Sequence, residues 1–203
     1  AFIEALKINL SDWFFDNSMN KWAVLLRDFM LNLEHLMSKP SLSTENLEFV
    51  FNNLQQIKEA QDFKVEMITR YQDFLVNELN NLLETGLKSR LEHWYGYPAI
   101  RFAMKDWYSG SDVVLFLDGR AQEKFAIHYY CEDIKSAEQL QQADALLQEA
   151  DCAEPWNELK GRCRCYRTIL EEHTLPAIQQ KLAHKISLMA KFEKTLRQKF
   201  STE

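Results

Sequence analysis

Three aspartates and a lysine in the middle of the chain have the residue types of a divalent-metal site. Asp112 opens an apolar run and Asp118 closes it, while Asp133 and Lys135 follow the next run. Hydrolysis of a phosphodiester needs two or three acidic ligands for a metal ion and a lysine that orients the attacking water. The four residues are therefore the candidate catalytic set of a nuclease that uses Mg²⁺. Aspartate at such positions is also an ordinary turn residue, so a purely structural role is the alternative.

A basic stretch near the C-terminus suggests a second kind of site. Cations grouped on one surface can bind the phosphates of a nucleic acid. The candidate nucleic-acid-binding residues are Arg162, Arg164, Arg167, Lys185, Lys191 and Lys194. A run of this kind is also typical of the solvated face of helices whose acidic neighbours lie elsewhere in the fold.

The third candidate is a group of aromatic residues with polar tips, in the same region as the aspartates. Its members are His93, Trp94, Tyr95, Tyr97, Trp107, Tyr108, Tyr129 and Tyr130. Such side chains suit a recognition surface, because the ring is apolar and its tip can form hydrogen bonds. They equally suit the half-buried face of a small sheet packed on helices.

The cysteines do not have the spacing of a zinc site. Zinc ligands usually come in closely spaced pairs that both turn toward one ion. Cys163 and Cys165 are two residues apart in a predicted helix, so they point to different sides of it. The sequence therefore predicts no metal site here. Four irregularly spaced cysteines in a chain this long favour a reducing, cytoplasmic compartment.

The elements that must position these residues are mostly long helices. Apolar residues recur every three or four positions over 2–37, 44–85 and 174–200, which is the period of an amphipathic helix. The spacing over 174–200 is close to the seam of a helical hairpin or coiled coil. We therefore expect the 174–200 helix to pair with the 44–85 helix.

Two shorter helices are predicted between the β-region and the last long helix. Ser136 and Gln139 match a capping box, which marks the start of the first one. The second is predicted over 156–172, after a break that contains a proline.

The pattern changes to strands between His93 and Asp133. Glycine and proline become frequent, and apolar residues alternate over 100–104 and 125–130, as in strands with one buried face. The run over 113–117 is continuously β-prone. Ser-Gly and Asp-Gly pairs between these runs are hairpin signals. The region therefore predicts a three-stranded antiparallel meander.

Composition and charge narrow the classes further. The chain has 203 residues, 5 Gly and 4 Pro, which disfavours sandwiches, barrels and Rossmann-type nucleotide binders. Its 30 acidic and 24 basic residues give a net charge of −6, which argues against general nucleic-acid affinity of the whole molecule. We find no apolar run long enough for a bilayer and no secretory signal pattern.

Three segments carry a resemblance to a known family. They are WAVLLRDFMLNLEHLM, the helical segment ENLEFVFNNLQQIKEAQDFKVEMITRYQDFLVNELNNLL and the β-segment FAIHYYCED. Their order resembles the C-terminal part of bacterial proteins in the PD-(D/E)XK nuclease superfamily. The resemblance implies an accessory region that follows a nuclease core. The catalytic strand of that family carries Asp and then Glu-x-Lys, and this chain offers only Asp112 and Asp133-x-Lys135.

The sequence therefore predicts a single α+β domain, mostly α, built on long antiparallel helices. The helices occupy 1–92 and 134–203, and the meander is inserted over 93–133. The favoured function is a non-catalytic interaction module for a protein or nucleic-acid partner, without cofactor and without a membrane. The alternatives are the divalent-metal nuclease described above and homodimerisation through the long helices.

Overall fold

The computed structural model describes residues 44–120 and 123–197, without the side chains of 195–197. The helices predicted over 2–37 lie outside these ranges. Contacts divide the chain into two compact units, residues 1–67 and 68–203. The boundary between the two units lies within one helix, Leu54–Leu83. It does not by itself separate two domains, and the single-domain interpretation stays a prediction.

The described part of the first unit is helical. It contains α1 (Thr44–Asn52) and the start of α2 (Leu54–Leu83). The side-chain Nδ2 of Asn53 donates to the Phe49 carbonyl at 2.8 Å, and the Asn53 backbone N–H donates to the same oxygen at 3.1 Å. The Asn53 side chain thus adds a local hydrogen bond at the junction between α1 and α2. None of the helices in the described residues is long and apolar enough to cross a membrane.

The second unit is built on a large antiparallel sheet. After the end of α2, its elements are β1 (Lys88–Trp94), β2 (Tyr97–Ala103), β3 (Asp112–Phe116), β4 (Ala126–Cys131), α3 (Ala137–Leu147), β5 (Trp156–Glu158), a 3₁₀ turn (Leu159–Gly161), β6 (Cys163–Ile169), α4 (Leu175–Lys191) and a π-helical turn (Phe192–Arg197). The strand order is β1-β2-β3-β4-β6-β5. Every neighbouring pair is antiparallel.

The predicted three-stranded meander between long helices is therefore wrong. The described residues form a sheet of six strands, in which β2, β3 and β4 overlap the three predicted strands. The segment 156–172, predicted as a helix, contains β5 and β6, and β1 lies in a stretch predicted as helical. Strand β6 is buried on both faces, through Cys163 and Cys165 on one and Tyr166 and Thr168 on the other. A strand buried on both sides does not alternate between apolar and polar residues.

Helices cover one face of the sheet and close the main core of this unit. Helix α4 packs on β3 and α3, and α3 and the C-terminal half of α2 add buried side chains to the same core. The core residues that α4 contributes include Ile178, Leu182, Ile186 and Met189. These are the residues of the predicted coiled-coil seam, and they pack under a sheet. The prediction of a coiled coil is therefore wrong for the described part of the chain.

Candidate functional site

The face of the sheet opposite the main core carries its own smaller apolar cluster. It consists of Ala99, Val114 and Phe116, with Trp94, Tyr97 and Tyr130 packed against them. We call this side of the sheet the aromatic face. Successive residues of a strand point to opposite faces, so the alternation in β4 places His128 and Tyr130 here and sends Ile127 and Tyr129 into the main core.

A two-residue hairpin turn brings aromatic side chains to the edge of this face. Trp94 and Tyr97 are the last pair between β1 and β2, and the turn between them has φ 53° at Tyr95 and 83° at Gly96. Two positive φ values are the signature of a type I′ turn, which matches the twist of the strands and favours glycine at the second position. Gly119, after β3, approaches this hairpin closely, because a Cβ there would lie 2.6 Å from the Tyr97 ring.

His128 lies at the centre of the aromatic face. It is paired across the sheet with Val114 of β3 and Arg167 of β6. Four aromatic rings surround its imidazole. Their centroids lie at 5.5 Å for Trp94, 6.1 Å for Phe116, 6.1 Å for Tyr130 and 6.0 Å for Trp156. Tyr130 stacks nearly parallel to His128, and the other three rings meet it edge-on.

The imidazole of His128 is buried and has unused hydrogen-bonding capacity. Its exposed fraction is 9%, and neither ring nitrogen has a hydrogen-bond partner among the described residues. Burial, together with the nearby charge of Arg167, lowers the pKa of His128 to about 4. The ring is therefore neutral near pH 7, with one N–H donor and one acceptor nitrogen.

A pocket of about 620 Å³ lies over this group. Its lining combines the aromatic rings with charged side chains: Trp94, Tyr95, Phe116, Arg120, His128, Tyr130, Ala153, Glu154, Trp156, Glu158 and Arg167. We call it the aromatic-face pocket. Its volume is in the range of small-molecule sites, which are typically roughly 300 to 1,000 Å³.

Two arginines supply positive charge to the aromatic-face pocket. Arg167 contacts Glu123 through Nη2 at 3.1 Å, and its buried Nε has no partner among residues 44–120 and 123–194. Arg120 donates from Nε to Asp118 at 2.9 Å, and its guanidinium lies 4.3 Å from the centre of the Tyr95 ring. The Arg120 hydrogen bonds lower the pKa of Asp118, so both partners are charged near neutral pH.

The structure separates the predicted catalytic aspartates. Asp112 starts β3 and Asp118 follows its other end, so roughly 20 Å of strand lies between them at about 3.3 Å per residue. Asp133 and Lys135, which form an ion pair at 3.0 Å, come after β4 and so lie at the Asp112 end of the sheet. In the described ranges no group of three or more His, Cys, Asp or Glu residues could hold a metal ion.

Asp112 has an arginine as its partner. Arg101 Nε donates to Asp112 Oδ2 at 2.5 Å, and the same guanidinium contacts Glu92 at 3.1 Å. Burial raises the pKa of Asp112 to about 6, although Arg101 opposes this shift.

The predicted nucleic-acid-binding residues do not share one surface. Arg164 is bound to Asp144 of α3 at 2.8 Å, and Lys185 is fully buried on α4. Arg167 lines the aromatic-face pocket. Arg162 lines a separate pocket of about 450 Å³ with Asp133, Lys135 and Lys160. Lys191 and Lys194 are exposed at the end of α4 and after it.

The predicted aromatic group divides between the two sides of the sheet. Trp94, Tyr95 and Tyr130 line the pocket, whereas Trp107 and Tyr129 belong to the main core. Phe116, Arg120 and His128 also line the pocket and were not predicted as site residues, and Trp156 lines it from β5. The position of His128 in an alternating run was a usable signal, but Trp156 lay in a segment predicted as helix.

The fold is an α+β arrangement with a pocket on one face of an antiparallel sheet. No family model, no curated protein and no solved structure matches the chain.

Proposed function

We propose that this protein is a non-catalytic binding module that receives a flat, aromatic part of its partner in the aromatic-face pocket. The observation that carries this proposal is His128, a buried imidazole inside a ring of four aromatic side chains, whose two nitrogens have no partner within residues 44–120 and 123–194.

The cost of burying His128 supports a binding role. A buried polar group without a hydrogen bond destabilises a fold by about 1–3 kcal/mol. An apolar residue in the same ring of aromatics would avoid this cost. A polar side chain that lines a pocket and lacks internal partners is explained by a partner that supplies them.

The surrounding rings favour a flat ligand. Aromatic pairs are stabilised by offset-stacked or edge-to-face geometry beyond the effect of area alone. Trp94 and Trp156 are both half-buried, so part of each ring remains accessible from the pocket.

Isothermal titration calorimetry on the whole chain tests this proposal with two flat probes, adenosine monophosphate and N-acetyltryptophanamide. We expect at least one probe to bind, and we expect Trp156→Ala to weaken that binding by about tenfold or more, since stacking contributes about 1–3 kcal/mol per ring. Phe74→Ala is the matched control, because Phe74 is an exposed aromatic residue on α2 outside the pocket.

A second variant tests the same pocket if Trp156→Ala does not fold. Tyr95→Asn removes an exposed ring from the pocket, and asparagine tolerates the left-handed backbone at this position. The proposal is overturned if neither probe binds, or if both pocket variants bind the probes as the wild type does.

A further inference from the structure

We propose that the aromatic-face pocket is a nucleotide site, which binds the base against its aromatic rings and His128 and the phosphate at Arg167 and Arg120. This inference rests on the proposed binding function and specifies the chemistry of the ligand.

The imidazole of His128 has hydrogen-bonding groups that match those of a nucleobase. A neutral imidazole offers one donor and one acceptor, and the edges of nucleobases also combine donors with acceptors. The side chains of phenylalanine and leucine have neither, and that of tryptophan has a donor only. The two nitrogens of an imidazole point in different directions, so a base edge pairs with one of them, as donor or as acceptor. A nucleobase therefore combines a flat ring that stacks on the aromatic residues with an edge that can form a hydrogen bond to His128.

The positive charge of Arg167 lies next to His128 in the sheet. Arg167 faces His128 directly across the β4–β6 pair, and its buried Nε is without a partner in the described part of the chain. Guanidinium groups bind phosphate through charge-assisted hydrogen bonds. A base near His128 would therefore place an attached phosphate within reach of a cation whose donors are not all used.

Negative charge in the pocket and on the chain limits the size of a nucleic-acid ligand. The pocket also contains Glu154 and Glu158, and the chain has a net charge of −6. These negative charges disfavour a long polyanion along the surface. A duplex also hides its base faces in the stack. The chemistry therefore fits a single nucleotide unit, either free or exposed in a single strand.

The test is a set of titrations with adenosine monophosphate, adenosine, inorganic phosphate and N-acetyltryptophanamide. We expect adenosine monophosphate to bind about tenfold or more tightly than adenosine, because a charge-assisted hydrogen bond contributes at least that factor. Arg167→Gln should lower the affinity for the nucleotide toward that for adenosine and leave adenosine binding nearly unchanged. Arg162→Gln is the matched control, because Arg162 is an exposed arginine outside this pocket.

Two further measurements complete the experiment. Arg120→Gln repeats the phosphate test if Arg167→Gln does not fold. The ¹⁵N resonances of the His128 ring should shift on addition of adenosine monophosphate and stay in place on addition of inorganic phosphate.

Titrations with single-stranded and duplex oligoadenylate then distinguish a free nucleotide from single-stranded nucleic acid as the ligand. Affinity for the single strand well above that for the mononucleotide identifies single-stranded nucleic acid, and equal or weaker affinity identifies a free nucleotide.

The outcomes separate this inference from the proposed function. If N-acetyltryptophanamide binds in a Trp156-dependent manner and adenosine monophosphate does not, the nucleotide inference is wrong and the binding function stands. If the folded Arg167 and Arg120 variants weaken adenosine and its monophosphate equally, the phosphate assignment is overturned. If no probe binds, both proposals fail.

Discussion

Lys185 and His128 are buried on opposite sides of the sheet, and their polar atoms have opposite surroundings. On the helix-covered side, Lys185 is fully buried and its Nζ contacts both Glu149 and Asp151, the latter at 2.9 Å. On the aromatic face, His128 is almost as deeply buried and has no hydrogen-bond partner among the described residues.

This difference distinguishes a structural polar group from a candidate binding group. A buried charge that holds the fold together must be paired, because an unpaired one is expensive. The pairing of Lys185 ties the segment after α3 to α4, which keeps the helices on the sheet. His128 makes no such connection within the part of the chain that the structure describes, so its retention in an apolar ring is better explained by a ligand than by the stability of the fold.

The largest effect is expected when the partners of Lys185 are removed. The double variant Glu149→Gln and Asp151→Asn leaves the ammonium buried without a counter-charge. We expect the free energy of unfolding to fall by about 3–4 kcal/mol, as for other broken buried ion pairs. Urea denaturation at pH 7 measures this change.

A third substitution makes this test specific to the charge. Adding Lys185→Met to the double variant removes the buried cation and keeps a side chain of similar length. Most of the lost stability should return, because no unpaired charge remains. If the double variant is as stable as the wild type, or if the triple variant recovers no stability, the ion pairs of Lys185 do not stabilise the fold.

The next effect is a dependence of stability on pH that comes from His128. Its pKa is about 4 in the folded protein, against 6.5 without burial, so the unfolded chain binds the proton more readily between these values. Stability therefore decreases as the pH falls from 6.5 to 4, by up to about 3 kcal/mol at about 1.36 kcal/mol for each pH unit. Denaturation curves of the wild type and His128→Phe, compared across this range, isolate the contribution.

The comparison with a variant is needed because Asp112 titrates in the same range with the opposite sign. Burial raises the pKa of Asp112 to about 6 in the folded protein, so the folded state binds its proton first and stability rises as the pH falls from 6 toward 4. Subtracting the two curves cancels this contribution. Parallel curves for the wild type and His128→Phe would contradict the assignment to His128.

Local chemistry in the sequence predicts parts of this structure well. Ser136 caps its helix as predicted, since its Oγ accepts from the Gln139 backbone at 3.1 Å, and Gln139 Oε1 accepts from the backbone of Lys135, one residue before the cap, at 2.7 Å. Such a motif depends only on residues a few positions apart. The ring around His128 instead takes residues from β1, β3 and β5, of which only β3 is a neighbour of β4 in the sheet. Their approach depends on the register of the whole sheet, which no local pattern encodes.

A smaller effect is expected from His128→Phe at neutral pH. Phenylalanine needs no hydrogen bonds and fits among aromatic rings, so we expect the free energy of unfolding to rise by about 1 kcal/mol. The same substitution should weaken nucleotide binding in calorimetry, because the donor and acceptor are lost. If the variant is more stable and binds the nucleotide as well as the wild type does, His128 does not form a hydrogen bond to the nucleotide.

The smallest effect is expected for an ion pair on the surface, and it completes the contrast with Lys185. Lys124 and Glu171 lie 2.5 Å apart with side chains 49% and 79% exposed. Water solvates both charges before and after folding, so Glu171→Gln should cost less than about 0.5 kcal/mol in urea denaturation. The substitution is of the same type as Glu149→Gln, but Glu171 pairs with an exposed lysine, whereas Glu149 pairs with the buried Lys185 and also contacts His184. A loss above about 1 kcal/mol at Glu171 would show that burial does not set the difference.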